Sequence, residues 1–336
     1  MYRRFFIFPN VHAMPEVSAI IPVHNGHRHI KPCIKSIQNQ SFKDLEIIIV
    51  DDDSADNSTE ICHKLAETDS RIKIITNSRN EGPYKSRMNG IKIASGNYMT
   101  FVDCDDYLAR NAIMHMLNHT KKTHSDIAVI GHCYSFTRFN IHAMHNNAIN
   151  RLPYIINNDL LKASYMRSFL GDDNLIPVSM CAKLYNAKLM HRRWKECNLK
   201  WGEDRIFSLQ AFHHANKCVT IPEYGYYYRW GGSTCKHELM DYLKYDSYME
   251  EAMKIADSLD YDSLIPLLKS RNYDYFLYHV RNCILDLQIT RQEILDIIST
   301  KTKLPVTQAH EIYTSQLSII RKHMPKYVTR LILDRL

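Results

Sequence analysis

Two rhythms of apolar residues alternate along the first 130 positions. Val17–Val23, Leu45–Val50, Arg71–Thr76, Tyr98–Val102 and Asp126–Ile130 are short runs rich in β-branched residues, and they predict strands. Between them lie helical patterns. Ile30–Asn39 places Ile30, Cys33, Ile34 and Ile37 on one helix face. A helix capped by Ser54 or Asp56 runs to about Asp69. Tyr84–Ala94 follows the turn Asn80-Glu81-Gly82-Pro83, and Arg110–Thr123 completes the set. Strands alternating with helices of this length imply βαβ units, an α/β fold and a mainly parallel central sheet.

The alternation fades after about residue 150. Residues 134–160 read as loop and irregular strand, Leu160–Leu170 as helix, and Pro222–Trp230 as an aromatic strand. Beyond Met240 the pattern is helical: Tyr242–Leu259, Ile265–Leu287, Arg291–Ser299 and a basic stretch over Gln316–Leu336. The chain therefore divides into an extension at 1–14, an α/β domain at 15–235 and a helical C-terminal region at 236–336.

The chemistry gathers where two of the strands stop. Glu46-Ile47-Ile48-Ile49-Val50 ends in Asp51-Asp52-Asp53, and Tyr98-Met99-Thr100-Phe101-Val102 ends in Asp103-Cys104-Asp105-Asp106. Buried parallel strands carry polar residues at the carboxyl edge, where open α/β sheets hold ligands. An Asp-x-Asp there suits a divalent cation held against a diphosphate. That combination points to a nucleotide-sugar enzyme.

Composition narrows the setting. The net charge is +7, with 43 Lys and Arg against 36 Asp and Glu, which attracts anions without choosing among them. Zinc-finger spacing and RNP-like runs are missing, so no nucleic-acid partner is expected. The nine cysteines are scattered without a Cys-x-x-Cys pair, which suits a reducing cytoplasm. No 18-residue apolar run is present, and the apolar part of Met1–Pro9 is too short for a signal peptide. The segment Ile319–Leu333 mixes bases with apolar residues. Three roles stay open for it: peripheral contact with the inner face of the cytoplasmic membrane, cover for the domain, or a homodimer contact. Pro325 interrupts any long helix there.

Val17-Ser18-Ala19-Ile20-Ile21-Pro22-Val23-His24-Asn25 resembles the opening strand of family 2 glycosyltransferases with the GT-A fold. Further matches follow in order: Ser36-Ile37-Gln38-Asn39-Gln40-Ser41, Ile49-Val50-Asp51-Asp52, Asn80-Glu81-Gly82 with Ser86-Arg87, Ala94-Ser95-Gly96-Asn97-Tyr98 and Phe101-Val102-Asp103-Cys104-Asp105-Asp106. Trp201-Gly202-Glu203-Asp204 looks like the family's Glu-Asp motif. The resemblance is strong over 15–108, weaker to about 235 and absent from the last hundred residues.

The resemblance implies an inverting, metal-dependent transferase that moves a sugar from a nucleotide-sugar, a UDP-sugar by preference. The acceptor would be a hydroxyl of a glycan or lipid-linked saccharide in surface-polysaccharide synthesis. Residues 15–130 would bind the donor and 131–235 the acceptor. By resemblance, Asp51 contacts the base and Pro22, Val23, His24 and Asn25 frame the nucleoside. Arg87, Asp103 and Cys104 would lie along the donor. Asp53 stands where the family has Gly and is expected to point to solvent. Asp105 would contact Mn²⁺ or Mg²⁺, with Asp103 beside it and His237 as a further ligand. Asp204 would be the catalytic base and Glu203 its support. Rival readings are a nucleotidyltransferase, which would want a Gly-rich phosphate loop after strand one, and a non-catalytic nucleotide-sugar-binding or scaffold protein.

Overall fold

Four parallel strands form one half of the sheet: β1 (Val17–Val23), β2 (Leu45–Asp51), β3 (Ile72–Thr76) and β4 (Tyr98–Phe101), in the order β3-β2-β1-β4. β1 and β2 are buried at every residue, which is what a near-continuous Val/Ile run requires. The crossovers are α1 (Ile30–Gln38), α2 (Ser58–Ala66) and α3 (Pro83–Ile93). The apolar stripe of α1 is wholly buried, and α3 packs on β1 and β2. Gly96, in the turn before β4, lets that turn press onto β1. A Cβ there would stand 2.7 Å from the backbone nitrogen of Ser18.

The computed structural model describes residues 14–136, 141–143, 154–157, 159–161, 164–165, 169, 176–192, 194–197, 199, 202–229, 242–260, 264–285 and 290–323. Among these, the other half of the sheet contains β5 (Tyr107–Leu108), β6 (Ile127–Phe136), β7 (Ile141–Ala143), β8 (Tyr154–Asn157), β9 (Lys183–Asn186) and β10 (Lys217–Arg229). The full path is β3-β2-β1-β4-β9-β6-β10-β5, with β7 on β6 and β8 on β10. β9 runs antiparallel to both β4 and β6, while β6 and β10 are parallel. The associated helices are α4 (Ala112–Thr123), α5 (Ala187–Met190) and α6 (Glu203–His214).

Two departures from the sequence reading have clear causes. β10 begins at Lys217 rather than Pro222, because register shifts between Ile221 and Tyr226 accommodate the proline inside the strand. β9 is a four-residue strand whose Lys-Leu-Tyr-Asn sequence gives almost no periodic signal.

The chain forms two compact units, one within Met1–His237 and one within Glu238–Leu336. The second comprises α7 (Tyr242–Ser258), α8 (Leu264–Leu285), α9 (Arg291–Thr302) and α10 (Val306–His323). Phe276, Val280, Ile284, Ile294, Ile298 and Tyr313 form its core. A capping box from Thr290 and Glu293 starts α9. α10 begins at Val306 rather than at Gln316, because the carbonyl of Pro305 accepts from the amides of Gln308 and Ala309 and opens the helix there. No helix among the described residues is long and apolar enough to cross a membrane. Residues 1–13, His237 and the stretch 324–336 lie outside the described residues.

Candidate active site

The carboxyl ends of β1, β2 and β4 open onto a cavity of about 600 Å³, a size that holds a small-molecule ligand. One side is lined by Pro22, Val23, His24, Asp52, Asn80, Gly82, Arg87, Asp103, Cys104 and Asp105. The facing side is Val178, Ser179, Gly202, Glu203, Asp204 and Arg205.

The β1 end is fixed through His24. Its Nδ1 donates to the carbonyl of Asp52 at 2.8 Å, and its Nε2 accepts from the amides of Asn25 at 2.9 Å and Asn80 at 3.0 Å. One ring thus ties three loops together. Asp52 does the same from the β2 end. Its carboxylate accepts from Asn77 Nδ2 at 2.7 Å, from the Glu81 amide at 2.9 Å and from the Gly82 amide at 2.8 Å. Gly82 starts α3 at φ +87°, ψ 165°, a conformation open essentially to glycine alone.

Two expected donor contacts, Asp51 and Asn25, are placed elsewhere, while Asp53 points to solvent as expected. Asp51 does not line the cavity. It accepts from the Ser54 amide at 3.2 Å and from the Thr59 hydroxyl, so its carboxylate closes the β2–α2 loop, and Asp52 takes the wall position. Asn25 adopts φ +51° and accepts from the Ala55 amide at 2.8 Å, which turns its side chain into the same loop. Asp53 is exposed with φ +60°, the left-handed geometry for which glycine is the usual residue.

The Asp-x-Asp turn is held from β10. The Tyr226 hydroxyl donates to Asp106 Oδ2 at 2.8 Å and accepts from the Asp103 amide at 3.2 Å. The Arg229 amide donates to Asp106 Oδ1 at 2.9 Å, and Arg229 Nε donates to the Asp105 carbonyl at 2.8 Å. Asp105 and Asp106 are both buried. Burial and the neighbouring charges of Asp103 and Asp105 push the Asp106 carboxyl up to about 8.

Among the described residues no group of three or more His, Cys, Asp or Glu side chains forms a ready metal cage. The donor set nevertheless fits a hard cation. Asp103 and Asp105 supply carboxylate oxygens on one rim, and Mg²⁺-type sites use only one or two protein carboxylates plus phosphate oxygens. The accumulated negative charge that lifts Asp106 is what such a cation would offset.

Arg87 joins the two sides. It is 5% exposed, donates through Nη2 to Asp103 Oδ1 at 2.5 Å, and places Nη1 3.6 Å from Glu203 Oε1. Burial opposes its charge, but Asp103 and Glu203 outweigh that and hold it cationic. Its Nε and Nη1 are buried without a hydrogen-bond partner. Glu203 and Asp204 open α6 behind Gly202, which adopts φ +79°. Burial, reinforced by the Asp204 charge, pushes Glu203 up to about 7. Burial also raises Asp204, with Arg87 opposing. Asp204 Oδ1 accepts from the Arg205 amide at 2.7 Å. A carboxylate pair with raised pKa values in a cleft suits proton transfer near neutrality.

An α/β sheet whose strand ends converge on acid groups around such a cavity is the architecture of a nucleotide-sugar transferase domain. The sequence falls in that class: a family profile described as glycosyl transferase family 2 matches residues 18–192, so the chain belongs to that family, and its fold is GT-A. Glycosyltransferase GlyA of Streptococcus pneumoniae is 30% identical over 220 residues, covering 64% of this chain and 30% of GlyA. A poly(ribitol-phosphate) beta-glucosyltransferase of Bacillus spizizenii is 29% identical over 218 residues, 63% of this chain and 32% of its own length. The chain thus spans about a third of the length of these relatives. The structure of Staphylococcus aureus TarS 1-349 in complex with UDP-GlcNAc superposes with a TM-score of 0.63 at 20% identity. It covers 90% of this chain and 89% of that one, a likeness of fold.

Proposed function

We propose that this protein is an inverting glycosyltransferase that moves a sugar from a UDP-sugar to a hydroxyl of a surface glycan or its lipid-linked precursor. The observation that carries the reading is the pairing of Asp103 and Asp105 with Glu203 and Asp204 across one cavity, with Arg87 between them. The TarS complex with UDP-GlcNAc and the poly(ribitol-phosphate) specificity of the Bacillus relative support the donor and acceptor classes.

Asp204 takes the proton of the acceptor hydroxyl. The acceptor oxygen bonds to the anomeric carbon from the face opposite the diphosphate. The bond to the leaving oxygen breaks, and its electron pair stays with the nucleoside diphosphate. Glu203 stands beside Asp204 at the start of α6 and supports the base, with burial pushing its carboxyl up to about 7 and Arg87 opposing. Arg87 holds Asp103 in place and keeps positive charge beside Asp204. Asp105, with Asp103 beside it, is the residue to hold Mg²⁺ or Mn²⁺, and the chemistry supplied there is offsetting charge on the leaving diphosphate. His24, Asp52 and Gly82 shape the nucleoside end of the cavity.

UDP release from UDP-GlcNAc, UDP-glucose and UDP-galactose, measured with Mn²⁺ and after chelation, tests the reading. Release from one sugar that stops on chelation is expected. A chain that binds UDP but releases none from any of the three under both conditions is a binding module.

A further inference from the structure

Lys183 is the one buried lysine among the described residues, 0% exposed at the start of β9, and a mechanism built on Asp103, Asp105 and Asp204 does not use it. Fully buried lysines are rare unless their charge is answered. Its Nζ donates to the carbonyl of Ser179 and, at 3.4 Å, to that of Cys181.

Those carbonyls belong to a turn with an unusual problem. Ala182 adopts φ +58°, a left-handed conformation that a residue with a Cβ enters at a cost. The turn faces its carbonyls inward, where unanswered acceptors cost about 1–3 kcal/mol each. Side chains answer them. Ser208 Oγ donates to the Ser179 carbonyl at 3.2 Å, and the Tyr185 hydroxyl donates to that of Met180 at 3.0 Å. Lys183 adds a second donor to Ser179 and also answers Cys181. The Ala182 carbonyl accepts from the Ile130 amide at 3.0 Å, which anchors the end of the turn to β6.

The turn is also a wall of the active site. Val178 and Ser179 line the cavity together with Glu203 and Asp204. The Ser179 hydroxyl is 2.9 Å from that of Tyr228 on β10. Cys181 is close enough to feel the charges of Asp103 and Arg87.

We propose that Lys183 is a positioning residue for transfer: its buried ammonium gathers the Ser179 and Cys181 carbonyls and so sets where Val178 and Ser179 stand beside Asp204. The assignment rests on the transferase reading above. It explains why this site carries a cation instead of an apolar side chain: no apolar residue can donate to both carbonyls at once. Burial lowers the lysine to about 8, with Cys181, Cys218 and, least, Asp204 opposing that fall, consistent with a cation kept at neutral pH.

The test is Lys183→Met, a volume-matched change without the charge, read three ways on the full chain. UDP affinity with Mn²⁺ is expected to be unchanged by calorimetry. UDP release from the preferred sugar of the panel is expected to lose about tenfold or more in kcat with KM unchanged. A crystal structure of the variant is expected to show the 178–182 turn displaced. Wild-type kcat, or a turn in its original place, overturns the proposal, as does an equal loss of UDP affinity. Where Lys183→Met does not fold, Ser208→Ala removes the other donor to Ser179 and is read by the same split. A wild-type chain that releases no UDP refutes the transferase reading instead, and the crystal structure still decides Lys183.

Discussion

Arg87 donates to Asp103 at 2.5 Å from inside the protein, and the same guanidinium lies 3.6 Å from Glu203. The donor-side acid and the Glu-Asp pair therefore share one buried cation. Each is held by the same charge, so the two sites respond together when that charge is removed.

Arg87→Met is expected to leave Asp103, Glu203 and Asp204 without their buried counter-charge. Breaking a buried pair by removing one partner costs about 3–5 kcal/mol. Urea denaturation should show a loss of that order, and calorimetry should show weaker UDP binding. Wild-type values for both would mean that the ion pair contributes nothing.

Gly82→Ala is a backbone test of the nucleoside end. Any Cβ at φ +87° is strained, although no atom lies within 4 Å of it. The expected cost is about 1–3 kcal/mol, a lower melting temperature, and weaker UDP binding as the Gly82 amide pulls away from Asp52. Stability equal to wild type would show that the turn relaxes freely.

Lys183 gives stability a pH signature. Its folded value is lowered to about 8 from an ordinary 10.5. Between those values the unfolded chain binds more protons than the folded one, so this group makes stability rise as pH increases across the window. The total swing is roughly 3 kcal/mol. Urea melts of wild type and Lys183→Met from pH 7 to 10.5 should differ by that rising component. Parallel curves would contradict it.

The donor half of the fold was legible because β1 and β2 are buried at every residue and read as Ile/Val-rich runs, and because β2 and β4 lead into acid. Asp103 and Asp105 reach the cavity because the parallel topology brings strand ends to one edge, and Arg87 of α3 and Glu203 and Asp204 at the start of α6 line it with them. Asp51 and Asp52 could not be told apart in sequence. Which one faces the cavity depends on the end of β2, where the Asp51 carboxylate turns to Thr59 and Asp52 reaches Asn77 and Gly82. Asp106 was given no role and Tyr226 was grouped with the other aromatics of its strand, because their contact pairs residues 120 apart in the chain. Lys183 was hidden for a related reason: in sequence it is one more lysine before Leu-Tyr, and only the left-handed Ala182 turns carbonyls toward it. An Asp-x-Asp-Asp followed far downstream by a Tyr-rich strand was the one available signal for the Asp106–Tyr226 contact.

The central claim is that Asp204 removes the acceptor proton while the donor is held elsewhere, and Asp204→Asn tests it most directly. UDP titration with Mn²⁺ should match wild type, while transfer to a glycan acceptor falls by roughly 10²–10⁴. Turnover near the wild-type rate in Asp204→Asn would contradict the account.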